Sequence, residues 1–438
     1  MYWNREIETM PRRELESLQL NRLNSTVERA ARSPFYAPRL TGNKAAPGGL
    51  GSLEEISSLP FPTKDDLRGD EVYPYGFLTV DREELIRLHS SSGTTGRPTT
   101  IFHTRRDIGT WSDLVARCLT MAGVGAGDVF QNMMGYGLFT GGLGLHYGAE
   151  LVGALTIPAG SGNSRKQISL MKDFSTTVVH IIPSYALRLA STFEEIGCDP
   201  KSLSLRIAVL GAEPHADSIR RRIEEIYGLR AFNSYGLSEM NGPGVAFECP
   251  EQEGLHLWED SYYVELIDPL TLEPVPEGEE GELVLTTLAR EGMPLIRYRT
   301  KDLTSLRREP CRCGRTHLRI ERITGRTDDM LILKGVNIYP IQVERVLMSF
   351  EEIGSNYQIV LTTENHIAQL PVMAELRRDF FRGDRSALEE LRRRIVGELR
   401  GEILITPRVE LLEPESLPVS EGKAVRVVDR RGEGKGAD

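Results

Sequence analysis

Ser90-Ser91-Ser92-Gly93-Thr94-Thr95-Gly96-Arg97-Pro98 follows the apolar segment Leu85–Leu88. Glycines let the backbone approach a ligand closely and aim N–H groups at anionic oxygens, while the Ser and Thr hydroxyls add donors. The run is therefore suited to holding a polyphosphate. It is not a Walker loop, whose pattern is G-x-x-x-x-G-K-S/T. Here only Thr94 and Thr95 separate Gly93 from Gly96, and no lysine follows. Taken alone, such a run is more often a plain flexible loop, and motifs further along must decide.

The whole chain sets the frame. At 438 residues it exceeds the usual size of a single core, which predicts two or more domains. Hydrophobic content of 40% and charged content of 26% are ordinary for a globular protein. A net charge of −10 argues against a nucleic-acid surface, so positive charge for an anionic ligand must be gathered locally. Met1–Met10 shows no secretory leader, and no apolar run reaches the ~18 residues of a membrane span. The expectation is a cytoplasmic protein without membrane partners. Five cysteines fit a reducing compartment better than a disulfide framework.

Pro11 predicts the start of a helix with Leu15, Leu18, Leu23 and Val27 on one face, ending near Ser33-Pro34. From Ile101 to about Leu210, helical stretches alternate with short apolar runs such as Thr177–Ile182 and Arg206–Leu210, each closed by Pro or Gly. That alternation predicts an α/β fold with buried, parallel strands. His256–Leu306 reads as strand-rich, with turns at Asp268-Pro269 and Glu277-Gly278. Past Gly325 come strands at Gln358–Thr362, Pro371–Leu376 and Arg408–Leu412, and a helix aligning Leu388, Leu391, Ile395 and Leu399. The expected organisation is a large N-terminal domain, residues 1–325, with a β-rich subdomain at about 250–320. A small α+β C-terminal domain follows at 326–438, joined through the polar Gly325–Asp329 and ending in a disordered tail at about 430–438.

Further motifs make the opening loop specific. Asn233-Ser234-Tyr235-Gly236-Leu237-Ser238-Glu239 is followed by Tyr298-Arg299-Thr300-Lys301-Asp302, by Gly325-Arg326-Thr327-Asp328-Asp329, and by Glu421-Gly422-Lys423-Ala424. In this order they resemble the motif set of the adenylate-forming superfamily of acyl-CoA synthetases, adenylation domains and luciferases, over roughly residues 65–429. Within it the chain is most similar to the phenylacetate–CoA ligases. The pointers are Gly135-Tyr136-Gly137-Leu138-Phe139-Thr140-Gly141-Gly142, Gly211-Ala212-Glu213-Pro214 and Gly254-Leu255-His256-Leu257-Trp258-Glu259-Asp260. The phosphate loop departs from many members, which carry a lysine where Thr99 and Thr100 stand here; Arg97 is the nearest alternative cation.

The resemblance implies a large adenylate-forming domain with a mobile C-terminal lid, and a reaction in two steps. A carboxylate attacks the α-phosphate of ATP, then the thiolate of coenzyme A displaces AMP. Ser90, Ser91, Ser92, Gly93, Thr94, Thr95 and Gly96 would hold the phosphates, and Glu239 would bind Mg²⁺, a hard cation that prefers oxygen. Tyr235 offers a flat face to adenine; Gly211, Ala212, Glu213, Asn233, Ser234 and Gly236 would line the nucleotide. Asp302 can accept from both ribose hydroxyls, with Arg326 beside it. Lys423 would bridge the substrate carboxylate and the α-phosphate as a compact charge. Asp328 matches the hinge, and Lys334 and Gly335 the coenzyme A passage. Tyr136 and Phe139, with Gly141 and Gly142 leaving a slot, suit a planar ring. A homodimer is implied by the relatives.

Cys249, His256, Cys311 and Cys313 form a second constellation, three thiolates and an imidazole suited to structural zinc, with His317 as an alternative fourth ligand. Cys118 lies in a helical, buried stretch. Three functions fit these residues: a ligase joining an aryl acid such as phenylacetate to coenzyme A, an enzyme loading the acid on a carrier-protein thiol, and a non-catalytic nucleotide-binding module. Glu239 and Lys423 together favour an enzyme.

Overall fold

Runs of apolar residues closed by Pro or Gly need burial on both faces, and the chain supplies it with a sheet covered by helices. The computed structural model describes residues 1–40, 49–91, 97–333, 336–364, 367–380, 385–418 and 425–431. Five parallel strands lie in the order Arg230–Leu237, Ile207–Leu210, Val178–Ile181, Val129–Asn132 and Leu155–Ile157. Ile207–Leu210 and Val178–Ile181 are buried along their whole length, the first as its unbroken apolar run requires and the second with His180 Nδ1 partnered by Asn132 Oδ1 at 2.9 Å. Beyond Arg230–Leu237 the sheet turns antiparallel through Gly242–Glu248, Leu255–Leu257, Arg319–Ile320 and Leu306–Arg307.

From Val129–Asn132 the chain passes to Leu155–Ile157 on one side, then returns to Val178–Ile181 on the other. Loops at such a reversal diverge and leave a crevice outside the carboxyl ends of the strands. Gly135–Phe139 lies at this point, and Gly211–Glu213 follows the carboxyl end of the next strand. The topology thus gathers two separate motifs at one edge.

The helix Arg12–Ala30 forms as its pattern predicts, with Leu15, Leu23, Val27 and Ala30 buried, but Leu18 is only partly covered. The helix Arg105–Ala122 buries Cys118 and packs on Thr140–Leu151. These two helices come close because glycines line the contact. A Cβ on Gly144 would sit 2.4 Å from Trp111 Cζ2 and 2.8 Å from Pro243 Cγ, and one on Gly148 would sit 2.3 Å from Val115 Cγ1. Gly144→Ala is therefore expected to destabilise the protein by about 2–3 kcal/mol through overpacking. A thermal melt unchanged from wild type would contradict that packing.

The strand-rich segment folds into a four-stranded antiparallel sheet, Tyr262–Ile267, Gly281–Thr287, Tyr298–Thr304 and Gly325–Arg326. The last strand shortens the expected connector. Gly325 and Arg326 pair with Leu303 and Asp302 and so belong to the preceding sheet; the polar link starts after them. Beyond the hairpin Leu331–Leu333 with Val336–Ile338 come the helix Pro340–Leu347 and a sheet built on the long strand Ile353–Glu364. Val372–Leu376, Val409–Leu412 and the helix Arg385–Ile403 fall where expected, with Leu391, Ile395 and Leu399 buried and Leu388 partly so. One buried cluster runs from Leu189, Ile219 and Ile223 into Leu347, Ile353 and Tyr357, joining the two domains. Among the described residues no helix is long and apolar enough to cross a membrane.

Candidate active site

Leu85–Ser90 and Thr100–Thr104 pair as an antiparallel hairpin, with Ser90 opposite Thr100. Ser91 N donates to Thr99 O at 3.0 Å, and Thr99 N donates to Ser91 Oγ at 3.0 Å, closing the base of the glycine-hydroxyl loop. Ser92, Gly93, Thr94, Thr95 and Gly96 lie outside the described residues, as do Lys334, Gly335, Lys423 and the tail from Gly432. Arg97, the alternative cation, is engaged at the surface beside the loop. It pairs with Asp70 at 2.8 Å, donates to Arg68 O and lies over the Tyr73 ring.

Behind the hairpin His89 and His103 are buried against Trp111. His89 Nδ1 bonds Leu138 O at 3.0 Å, and Ser90 N donates to the same carbonyl, so the aromatic loop Gly135–Phe139 is fastened to the phosphate-loop hairpin. In that loop Tyr136 OH meets His146 Nδ1 at 3.2 Å, and burial pushes its phenol up to about 12. The slot expected at the two glycines is filled. A Cβ on Gly141 would lie 2.3 Å from Phe139 Cε1, and one on Gly142 would lie 2.4 Å from Gly135 O. Their small size serves close packing of the loop on its own helix, while Tyr136 and Phe139 keep partial exposure.

Glu239 sits on a short turn after Arg230–Leu237, 5% exposed. Three groups that sequence reading missed surround it. Arg290, fully buried, donates Nη1 to Glu239 O at 2.6 Å and Nη2 to Phe102 O at 3.3 Å, tying the turn to the hairpin strand. Lys64 Nζ lies 3.9 Å from Glu239 Oε1. Tyr298 hydrogen-bonds the carboxylate; burial first, then the Glu239 charge, holds its phenol well above the ordinary range. Nothing in the local sequence of Lys64 or Arg290 marks them, since both arrive from distant segments. Gly236 is needed at the strand crossing itself, where a Cβ would collide with Gly242 O and Gly242 C.

Tyr235 OH donates to Asp302 Oδ2 at 2.5 Å, and Arg326 Nη1 engages Asp302 Oδ1. Burial raises the Asp302 carboxyl above its usual range, against the pull of Arg326. Arg326 also grips Asp328, Nε to Oδ1 at 3.0 Å and Nη2 to Oδ2 at 3.1 Å. One guanidinium thus links the candidate ribose carboxylate to the candidate hinge. Asn233 N and Nδ2 donate to Glu248, leaving its buried Oδ1 without a hydrogen bond of good geometry, next to the His215 imidazole. An unmet buried acceptor suits a nucleobase amino group. Ala212 takes a left-handed φ of 70°, and Glu213 reaches back to cap the helix Pro183–Glu195, accepting from Ser184 N at 2.6 Å and Ser184 Oγ at 3.1 Å. The Glu213 carboxylate is thereby committed to that helix end.

The second constellation also assembles. Ligand atoms of Cys249, His256, Cys311 and Cys313 all lie within 4.8 Å of one another. Cys249 Sγ and Cys311 Sγ are 3.7 Å apart, close to the edge of about 3.8 Å that ~2.3 Å zinc–sulfur bonds give a tetrahedron, and far from a disulfide. Cys313 Sγ is 3.3 Å from His256 Nε2, and His256 Nδ1 faces His317 O at 3.3 Å, which leaves Nε2 free as an acceptor toward the sulfurs. A hydrogen bond from the Cys249 thiol, then the His256 imidazole, holds Cys313 far below the ordinary thiol range. His317 is not an alternative ligand: its Nδ1 accepts from Glu259 N at 3.0 Å and its Nε2 meets Ile7 O at 3.0 Å.

Comparison with known proteins agrees with this geometry. A family profile described as "AMP-binding enzyme" matches residues 46–288, and "AMP-binding enzyme C-terminal domain" matches 335–431. The chain is 45% identical to a phenylacetate-coenzyme A ligase of Thermus thermophilus over 446 aligned residues, covering 98% of this chain and 100% of the relative. It is 30% identical to 2-hydroxyisobutyryl-CoA ligase. The crystal structure of that protein in the post-adenylation state with 2-HIB-AMP overlays with a TM-score of 0.92, covering 98% and 92% of the two chains. Its structure in the thioesterification state with 2-HIB-AMP and CoA gives 0.73 over 98% and 93%.

Proposed function

The chain belongs to the phenylacetate-coenzyme A ligase family of AMP-binding enzymes, and on that footing we infer that it joins phenylacetate, or a close aryl relative, to coenzyme A through an acyl-adenylate. The observation that carries this reading is 45% identity along 98% of the chain and the whole of the relative. A carboxylate oxygen of the acid bonds to the α-phosphorus, and the electron pair of the broken P–O bond leaves with pyrophosphate. The thiolate of coenzyme A then bonds to the acyl carbon, and AMP leaves with the pair of the C–O bond.

The nucleophile is already ionised at neutral pH, so no general base is required and the work is alignment and charge neutralisation. Ser90–Gly96 hold the phosphates, Tyr136 and Phe139 flank the ring, and Tyr235 and Asn233 receive the adenine. Asp302 accepts from the ribose, sharing its oxygens with Tyr235 and Arg326, and Lys423 meets the substrate carboxylate. Glu239 would hold Mg²⁺, which when bound supplies positive charge to the phosphate oxygens. Cys249, His256, Cys311 and Cys313 would hold zinc, a closed four-ligand site that crosslinks loops.

The test is acid-dependent pyrophosphate release over a panel of aryl and alkyl acids, with and without coenzyme A, beside Lys423→Ala. Phenylacetate is expected to stimulate release, coenzyme A to yield thioester and AMP, and Lys423→Ala to lose at least about 100-fold. A thioester formed only on a carrier-protein thiol would replace coenzyme A as acceptor. Nucleotide binding without any acid-dependent release would replace the enzyme with a binding module.

A further inference from the structure

Resting on the ligase reading, we propose that Glu344 is a positioning residue for the adenylation half-reaction: it caps a helix of the N-terminal domain from the C-terminal domain and so docks the lid on the nucleotide edge. Helix Asp217–Tyr227 begins at Ala216, which has no side chain able to satisfy the free N–H groups of a helix start. The N–H of Ala216 itself is met from the other domain, as the reaching-back carboxylate of a capping box meets its N-cap. Glu344, on helix Pro340–Leu347 and 5% exposed, accepts from Ala216 N through Oε1 at 3.2 Å. Its Oε2 accepts from Tyr357 OH at 2.8 Å. Burial raises the Glu344 carboxyl, against Arg426 and the Tyr357 hydrogen bond, so the group depends on these partners.

The same Tyr357 anchors the last strand. Arg426 lies over its ring at 4.3 Å and donates to Ser355 O at 3.1 Å, and Val427–Asp429 runs parallel to Ile359–Leu361. Lys423 precedes Arg426 by three residues in the chain. The Ala216–Glu344–Tyr357–Arg426 series therefore ties the loop after Gly211–Glu213 to the strand that follows the candidate adenylation lysine. The overlay bears on when the contact is made: the chain superposes with a TM-score of 0.92 on the neighbour's post-adenylation structure and of 0.73 on its thioesterification structure. Leaving the first arrangement requires Glu344 to give up Ala216 N. An interaction made in one of two states shifts the balance toward that state.

Two readouts test this. Amide exchange at Ala216 is expected to speed up at least tenfold in Glu344→Ala, while amides within Val178–Ile181 and Ile207–Leu210 stay as protected as in wild type. In the same variant, acid-dependent pyrophosphate–ATP exchange is expected to fall at least tenfold, with thioester formation from supplied phenylacetyl-adenylate held within twofold. Glu344→Gln, whose amide oxygen still accepts from Ala216 N, is expected to recover most of the loss. Unchanged exchange at Ala216, or an equal fall of both half-reactions, overturns the proposal. Should Glu344→Ala fail to fold, Tyr357→Phe serves, since it removes the hydroxyl that holds Glu344 Oε2 and keeps the Ala216 amide as the readout. A wild type without acid-dependent exchange removes the ligase reading and the catalytic half of the proposal; exchange at Ala216 still decides the docking half.

Discussion

Glu239→Gln is expected to lower acid-dependent pyrophosphate release by about 10²–10³-fold, the cost of removing one preorganised charge contact from a transition state. The carboxylate is buried, its backbone carbonyl is fixed by Arg290 at 2.6 Å, and Lys64 stands 3.9 Å away. A neutral amide of the same shape keeps the Arg290 bond, which is to the main chain, so the turn stays in place. What it loses is the negative charge that, on the proposed reading, holds a hard divalent cation against the phosphates. The Mg²⁺ concentration for half-maximal rate should therefore rise along with the fall in kcat. Thioester formation from supplied acyl-adenylate should change far less, because pyrophosphate has already left. A Gln variant within fivefold of wild type at ordinary Mg²⁺ would show that Glu239 does not bind the cation.

That prediction uses a residue visible in the sequence, but its setting was not. Glu239 closes a motif whose residue types are dictated locally by a strand, a tight crossing and a turn, so its text survives as a signature. Lys64 and Arg290 carry no local signature, and Tyr298, though it opens a motif, gives no sign there of its bond to Glu239, because all three reach Glu239 only through contacts between distant segments. The same division runs through the fold. The parallel strands and the helix Arg385–Ile403 were legible because each buries a repeated pattern of apolar positions. Gly325–Arg326 read as a connector, since two polar-flanked residues hold no period; only pairing with Asp302 and Leu303 makes them a strand.

Glycines misled the pocket reading for a related reason. Sequence shows that a side chain is missing, not what takes its volume, and at Gly141 the volume belongs to Phe139. His317 misled the metal reading because its residue type suits zinc, whereas both of its nitrogens serve Glu259 and Ile7. Arg97, the alternative cation beside the phosphate loop, is engaged by the distant Asp70 at 2.8 Å. For His317 and Arg97 the partner lies far along the chain, whereas Phe139 stands two residues from Gly141 and only the placement of its ring is hidden from the sequence.

The remote partners are densest around the cysteine cluster, and there the second large effect is expected. Removing zinc by strong chelation, or replacing Cys311 by Ser, is predicted to release the first ten residues of the chain. The loop Cys311–His317 is the post on which they are hung. Arg315 Nε donates to Glu8 Oε2 at 2.7 Å and its Nη2 to Met1 O at 2.6 Å; Tyr2 OH donates to Cys313 O at 2.8 Å and Thr316 Oγ1 to Met10 O at 2.7 Å. Glu8 and Arg315 are both buried, so a loop that drifts by a few ångströms strands two charges at once, a loss of about 3–5 kcal/mol for a broken buried pair. Amide exchange should rise over residues 1–10 and 311–318, and metal analysis should find about one zinc per chain before treatment and none after. With Mg²⁺ restored after chelation, the acyl-adenylate chemistry of the protein that remains folded should be unaltered, since none of these residues lies at the nucleotide edge. Purified protein without zinc after metal-replete expression, or unchanged exchange at the N-terminus on chelation, would leave the four residues as packed thiols and an imidazole rather than a metal site.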